Sequence, residues 1–255
     1  MPTTPAPLGL IAPMVLAALV GTAALAQDLL LIPDSGNDRI WALSALDGSV
    51  VEAIYVPADD VMSQPIQIAV SPSGTLIITD ELDKAVYEYS ATSGYIRTLA
   101  STADGVLGAY GLCIKDGFVY FTSGASATGV IYKVALAGGP VTVFSDWTSV
   151  GQPRGIVPYG SGFLVGNSTD DDLELVLANG TVQSVPFHDS DGFIGIDFPQ
   201  QIWPLGGGNV LVAGFSDPYG LYFYDSQGLQ YGAYLGTEVF LSPRGCAQLD
   251  NGDYL

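Results

Sequence analysis

Five short segments decide how this chain is read: Pro65-Ile66-Gln67-Ile68, Ala109-Tyr110-Gly111-Leu112, Pro153-Arg154-Gly155-Ile156, Pro199-Gln200-Gln201-Ile202 and Pro243-Arg244-Gly245-Cys246. Their first residues lie 44, 44, 46 and 44 positions apart. Shared Pro and Gly columns at a steady period mark an internal repeat, each unit being one supersecondary motif. Downstream of each segment the same order returns. A Gly-bearing turn comes first, as in Ser71-Pro72-Ser73-Gly74, Lys115-Asp116-Gly117 or Gly160-Ser161-Gly162. An apolar run follows, such as Leu76-Ile77-Ile78, Val119-Tyr120-Phe121 or Val210-Leu211-Val212. A polar loop then leads to an alternating aromatic stretch, Val86-Tyr87-Glu88-Tyr89 or Leu221-Tyr222-Phe223-Tyr224, and to a second turn. Short β-rich runs bounded by Gly and Asn, without a 3.6-residue period, read as four antiparallel strands per unit. A four-stranded unit of this length is a β-propeller blade. The expected fold is therefore all-β, with one propeller domain over 27–255.

The ends of the chain set the blade count. Leu29-Leu30-Leu31-Ile32 aligns with a second strand, because Asp34 falls in register with Asp80. Pro243–Leu249 reads as a first strand with no blade of its own. Pairing it with the blade formed by Leu29–Val56, as innermost strand, removes two open sheet edges. That arrangement encodes five blades closed by pairing of the chain ends. Asn251–Leu255 starts another second strand, so six blades are expected if the C-terminus is incomplete.

Asp34-Ser35-Gly36-Asn37-Asp38-Arg39-Ile40 resembles the D-x-G-N-x-R-I stretch of NHL repeats. Gln64–Val70 and Gln152–Val157 are similar to the P-x-G-I first strands of NHL and streptogramin-lyase-like propellers. The resemblance spans nearly all of 28–255 at the level of the blade. It implies the fold, commonly with six blades. It also implies a range of functions: a lyase, calcium-dependent lactonases among related propellers, and many binding scaffolds. The lyases use a catalytic histidine, but the residues flanking the one histidine here do not match theirs.

Composition narrows the partners. The chain has 26 Asp and Glu against 7 Lys and Arg, for a net charge of −19. Nucleic acid is excluded as a partner, since its phosphates need a basic face. An anionic membrane surface is disfavoured for the same reason. One His and two Cys cannot build a His-rich or Cys-based zinc site. Cys113 and Cys246 read as small buried hydrophobes without a disulfide. Residues 1–26 form an apolar stretch ending in Ala24-Leu25-Ala26, a cleavage signal. A signal peptide is expected there, with a secreted or periplasmic, monomeric mature protein that has no membrane insertion.

Propeller topology sorts the candidate site residues. First strands line the channel from its top, where the second-to-third strand loops and blade connections also lie. The residue after the repeat Pro forms a ring: Ile66, Tyr110, Arg154, Gln200 and Arg244, with Gln201 and Gln67 one position on. Two of the four Arg stand in this ring. They read either as ion pairs to acidic loops or as a clamp for a carboxylate or phosphate. Tyr110, Arg154, Gln200, Gln201 and Arg244 are the candidate ligand-binding set. The rim above them is acidic, which ordinary turn chemistry also produces. Asp34, Asp80, Asp189 and Asp191 are the candidate ligands for a possible Ca²⁺. His188 is the one imidazole able to act as a near-neutral base. No G-x-S-x-G or phosphate-loop motif is present. The expectation is an exported scaffold binding a small molecule or protein at the top face. Its alternative is a Ca²⁺- or Mg²⁺-dependent lactonase-like hydrolase or lyase at the channel mouth.

Overall fold

The computed structural model describes residues 28–124, 129–148, 151–190, 195–236 and 240–255. The leader expected at 1–26 and the candidate ligand Asp191 lie outside the described residues. The described residues contain no helix long and apolar enough to cross a membrane.

Blade 1 comprises β1 (Leu29–Asp34), β2 (Arg39–Ser44) and β3 (Val50–Val56). Blade 2 comprises β4 (Pro65–Val70), β5 (Leu76–Asp80), β6 (Ala85–Ser90) and β7 (Gly94–Ala100). Blade 3 holds β8 (Leu112–Lys115), β9 (Phe118–Ser123), β10 (Val130–Ala135) and β11 (Thr142–Asp146). Blade 4 holds β12 (Pro153–Tyr159), β13 (Gly162–Asn167) and β14 (Asp172–Val176). Blade 5 holds β15 (Pro199–Gly206), β16 (Asn209–Gly214), β17 (Gly220–Tyr224) and β18 (Gln230–Leu235). Every strand pair is antiparallel and every blade is a meander in chain order.

The second strand of each unit reads as an unbroken apolar run because both of its faces are covered. Side chains leave a strand alternately to opposite faces. In β9, Val119 and Phe121 pack toward blade 2, while Phe118 and Tyr120 pack toward blade 4. In β16, Val210 and Val212 face blade 4, and Leu211 and Ala213 face the C-terminal segment. The core is thus a series of clusters between blades, not a single centre.

Two blades depart from four regular strands. In blade 4 the outer position is held by isolated bridges, Val176 to Val182 and Leu173 to His188. In blade 1, β1 pairs with β2 alone among the described strands. The chain ends do meet, but not as innermost strand on β1. Instead the C-terminal segment folds on itself, Ala247 and Leu255 exchanging two backbone hydrogen bonds at 2.9 Å. Its turn then joins blade 1, where Asp250 N donates to the Ala45 carbonyl at 2.8 Å and Asn251 N to Leu46 at 3.2 Å. The local hairpin prevails because Gly252 takes a left-handed φ of 91° and closes a tight turn.

The inner strands converge on the channel, and this explains the Gly column of the repeat. A Cβ on Gly111 would lie 2.1 Å from the Arg154 carbonyl oxygen, and one on Gly155 would lie 2.0 Å from that of Gln200. Where the column holds Gln, the amide reaches across to the next inner strand. Gln67 Nε2 donates to Leu112 O at 3.3 Å while its Oε1 accepts from Leu112 N at 3.2 Å. Second-strand threonines add to this lacing: Thr79 Oγ1 donates to Tyr110 O, and Thr122 Oγ1 to Arg154 O at 2.6 Å.

Candidate functional site

The top of the channel opens on a cavity of about 520 Å³ lined by inner-strand residues from β4, β12 and β15, together with β1 and the C-terminal hairpin. All five candidate ligand-binding residues, Tyr110, Arg154, Gln200, Gln201 and Arg244, line it. The repeat register brings them together because Tyr110, Arg154, Gln200 and Arg244 hold the same point of their own units and Gln201 the next. Their roles differ once neighbours are considered.

Arg154 lies with its guanidinium carbon 3.9 Å from the Tyr110 ring centroid and 5.2 Å from that of Phe198. Its Nε is buried and has no hydrogen-bond partner. Among the described residues no carboxylate pairs with it. Arg244 sits 5.2 Å from the Phe215 ring, and Phe198 and Phe215 touch at 5.6 Å between centroids. The mouth therefore carries a continuous row: Tyr110, Arg154, Phe198, Phe215, Arg244. Arg244 also reaches Glu81 on blade 2, Nη1 to Oε2 at 3.3 Å, with both side chains partly exposed. Such an exposed pair holds weakly and can be exchanged for another anion.

The two glutamines divide. Gln200 is nearly buried and turns its carbonyl onto Gly155. Gln201 spends its Oε1 on Cys246 N at 3.0 Å, the same bridge that Gln67 makes to Leu112. It is a brace between blade 5 and the C-terminal hairpin that also borders the cavity.

Sequence reasoning missed Phe198 and Phe215, although register could have found them, whereas the Arg244–Glu81 pair is the ion pair to an acidic loop that the sequence offered for Arg244. Phe198 precedes the repeat Pro, where Gln64, Gly108, Gln152 and Ser242 stand in the other units. Glu81, Ser168 and Phe215 follow the second strand, each donating its N–H to that preceding column at Gln64, Gln152 and Phe198. Two aromatics in otherwise polar rim columns were the signal.

The metal and catalytic candidates do not assemble. Asp34 accepts from Asn37, Arg39 and Trp41 within its own loop. Asp80 is fully buried and accepts from the backbone N–H groups of Ser63, Gln64 and Asp83. Asp189 lies on blade 4 with Asp170 and Asp172 near it. Among the described residues no group of three or more His, Cys, Asp or Glu side chains is placed to hold a metal ion. Much of the acidic rim is turn chemistry: Asp59 accepts from Val61 and Met62, Asp104 from Ser101, and Asp146 from Thr148. His188 stands at the outer edge of blade 4 and does not line the channel cavity. Its Nδ1 lies 2.9 Å from Gly228 O, its ring packs on Tyr224, and burial lowers its pKa. The irregular outer edge of that blade draws it away from the mouth. Cys113 and Cys246 are free and buried, and burial raises both thiols to about 12.

With this geometry in view, the chain can be set beside known proteins. No family model matches it. No curated protein matches it either. Solved structures do. A gluconolactonase from Xanthomonas campestris superposes with a TM-score of 0.69 at 14% identity, over 89% of this chain and 77% of the other. The nidogen/laminin complex gives 0.67 at 15% identity, over 84% and 78%. A catalytically inactive virginiamycin B lyase from Staphylococcus aureus, solved with quinupristin, gives 0.64 at 14% identity, over 87% and 71%. The shared feature is the fold. This chain is a five-bladed β-propeller similar to NHL-like and streptogramin-lyase-like propellers. At such identities the superpositions carry the architecture and not the chemistry of a site.

Proposed function

We propose that this chain is an exported binding propeller that takes an anionic ligand, free or displayed on a protein, at the mouth of its channel. The observation that carries the reading is Arg154. A chain with 26 carboxylates leaves this guanidinium without one among its described residues and holds it between two aromatic faces beside a cavity. Keeping a partly buried cation unpaired costs stability, and a bound anion offsets that cost. Stacking fixes the plane of the guanidinium, so that its free N–H groups can meet a carboxylate in a fork. Phe198 and Phe215 suit a flat apolar body on that anion.

Calorimetric titration with benzoate, and with benzylamine as the cationic control, tests this. Benzoate should bind and benzylamine should not. Arg154→Ala should abolish benzoate binding while keeping a cooperative melt. Equal heats for the two probes would sink the proposal, as would unchanged binding by the variant. The alternative, a Ca²⁺- or Mg²⁺-assisted hydrolase or lyase, is supported by no described carboxylate cluster. A melt with and without EDTA is its test.

A further inference from the structure

We propose that Arg244 is a second anion subsite of the mouth, latched by Glu81, and that the ligand is a flat dianion with an apolar body between its two acidic groups. This rests on the reading of the mouth as an anion site, and names the class of ligand it would take.

The two ring arginines differ in what they hold. Arg154 lies on the faces of Tyr110 and Phe198 and has no carboxylate among the described residues. Arg244 has its guanidinium carbon 5.2 Å from the Phe215 centroid and donates from Nη1 to Glu81 Oε2 at 3.3 Å. Each guanidinium thus has a phenyl ring of its own. Between their backbones runs β15, which meets β12 at Gly155 and the C-terminal segment through Gln201. With an inner strand between them, the two act as separate anchors and not as a pincer on one oxygen.

The rings that join the anchors are firmly set. Phe215 N donates to Phe198 O at 3.1 Å, and the ring centroids lie 5.6 Å apart. Phe198 N donates to Asp171 Oδ1 at 2.8 Å. Phe198 has a φ of 53°, a left-handed conformation that a bulky residue rarely takes. Strain of this kind persists where the surroundings over-determine it, and it collects at ligand clamps. Both rings are half-buried, which leaves them a surface for a flat body.

Glu81 shows what the second anchor takes. The Glu81 and Arg244 side chains are 26% and 49% exposed, and an ion pair so open to water exchanges readily. The second carboxylate of a ligand would displace Glu81 and inherit its place. The general field opposes this, because a net charge of −19 repels a dianion more than a monoanion. A preference for the dianion therefore requires a local cation.

Calorimetric titration with terephthalate, and with the longer para,para-dicarboxylate of biphenyl, tests this. Each is compared with its half-amide, which keeps the shape and loses one charge. At one spacing or both, the dicarboxylate should bind roughly three- to tenfold tighter than its half-amide at low salt. Arg244→Ala should remove that preference and leave the half-amide's affinity as it was. Glu81→Gln should strengthen the dicarboxylate by roughly two- to fivefold and leave the half-amide unchanged. Equal affinities at both spacings would overturn the second subsite. So would an Arg244→Ala loss shared by dicarboxylate and half-amide, since both guanidiniums would then grip one carboxylate. A dicarboxylate indifferent to Glu81→Gln would overturn the latch. Benzoate binding that survives these failures would leave the anion site standing and reject the dianion alone. Without benzoate binding the site itself falls, and this inference with it.

Discussion

At the scale of the residue, the most informative position outside the mouth is Glu174 on β14. It aligns with Trp41, Tyr87, Tyr132 and Tyr222, so a carboxyl stands where the other blades place an aromatic ring. It is buried, and its Oε2 has no hydrogen-bond partner. Burial first, and then the charges of Asp172, Asp170 and Asp189, raise its pKa from 4.5 to about 7. The folded state therefore holds this proton more tightly than the unfolded chain. The contribution is complete below pH 4.5 and is lost as pH rises through 7, on the order of 3 kcal/mol across that window. Asp172 and Asp197, both raised by burial and neighbouring carboxylates, act in the same direction. Glu174→Gln should flatten the fall in melting temperature between pH 5 and about 8. A slope equal to the parent's would show that Glu174 is not the group responsible.

At the scale of the element, the inner strands are the most tightly constrained part of the ring. Gly155 of β12 has no room for a methyl group, because the Gln200 carbonyl already occupies the place. Gly155→Ala must push β12 and β15 apart, at a cost of about 1–3 kcal/mol. Gly74, in a turn with open space around it, has a φ of 82°. Gly74→Ala strains only the local backbone and should cost about 1 kcal/mol. Chemical denaturation of the two variants checks the order, and equal losses would contradict the convergence of the inner strands. The bridging glutamines fit the same picture. The same repeat position holds Gly for close approach at Gly111 and Gly155 and Gln for a side-chain bridge at Gln67 and Gln201, and both join one inner strand to the next.

At the scale of the whole molecule, charge and ring closure act against each other. A net charge of −19 makes the folded state repel itself, while the hairpin turn at Asp250 and Asn251 ties the last segment to blade 1. Salt should therefore stabilise the protein. Its melting temperature should climb as NaCl goes from about 10 mM to about 0.5 M, over which the screening length shrinks from about 30 Å to under about 8 Å. A flat or falling curve would mean that specific ion pairs outweigh the general repulsion. Arg97 is the pair to inspect in that event, since it joins Glu88 at 2.6 Å and also caps the Leu136 and Ala137 carbonyls of the next blade.

The repeat period, the rank of each strand in its blade, the blade count and the ring of Tyr110, Arg154, Gln200 and Arg244 were all legible in the residues. They depend on local chemistry: turns need Gly, pleated strands alternate faces, and a fixed period returns each position to the same height on the channel wall. The tertiary structure alone decided what each ring member touches. Arg154 meets rings instead of carboxylates, Gln201 is taken up by Cys246, and His188 is carried to an outer edge. The C-terminal segment turns back on itself instead of pairing with β1. The Gln201–Cys246 and Arg244–Glu81 contacts join residues 45 and 163 positions apart. Such pairings arise from the curvature of the ring and the competition between neighbouring blades for the same edge. No local pattern of apolar and polar residues encodes that competition.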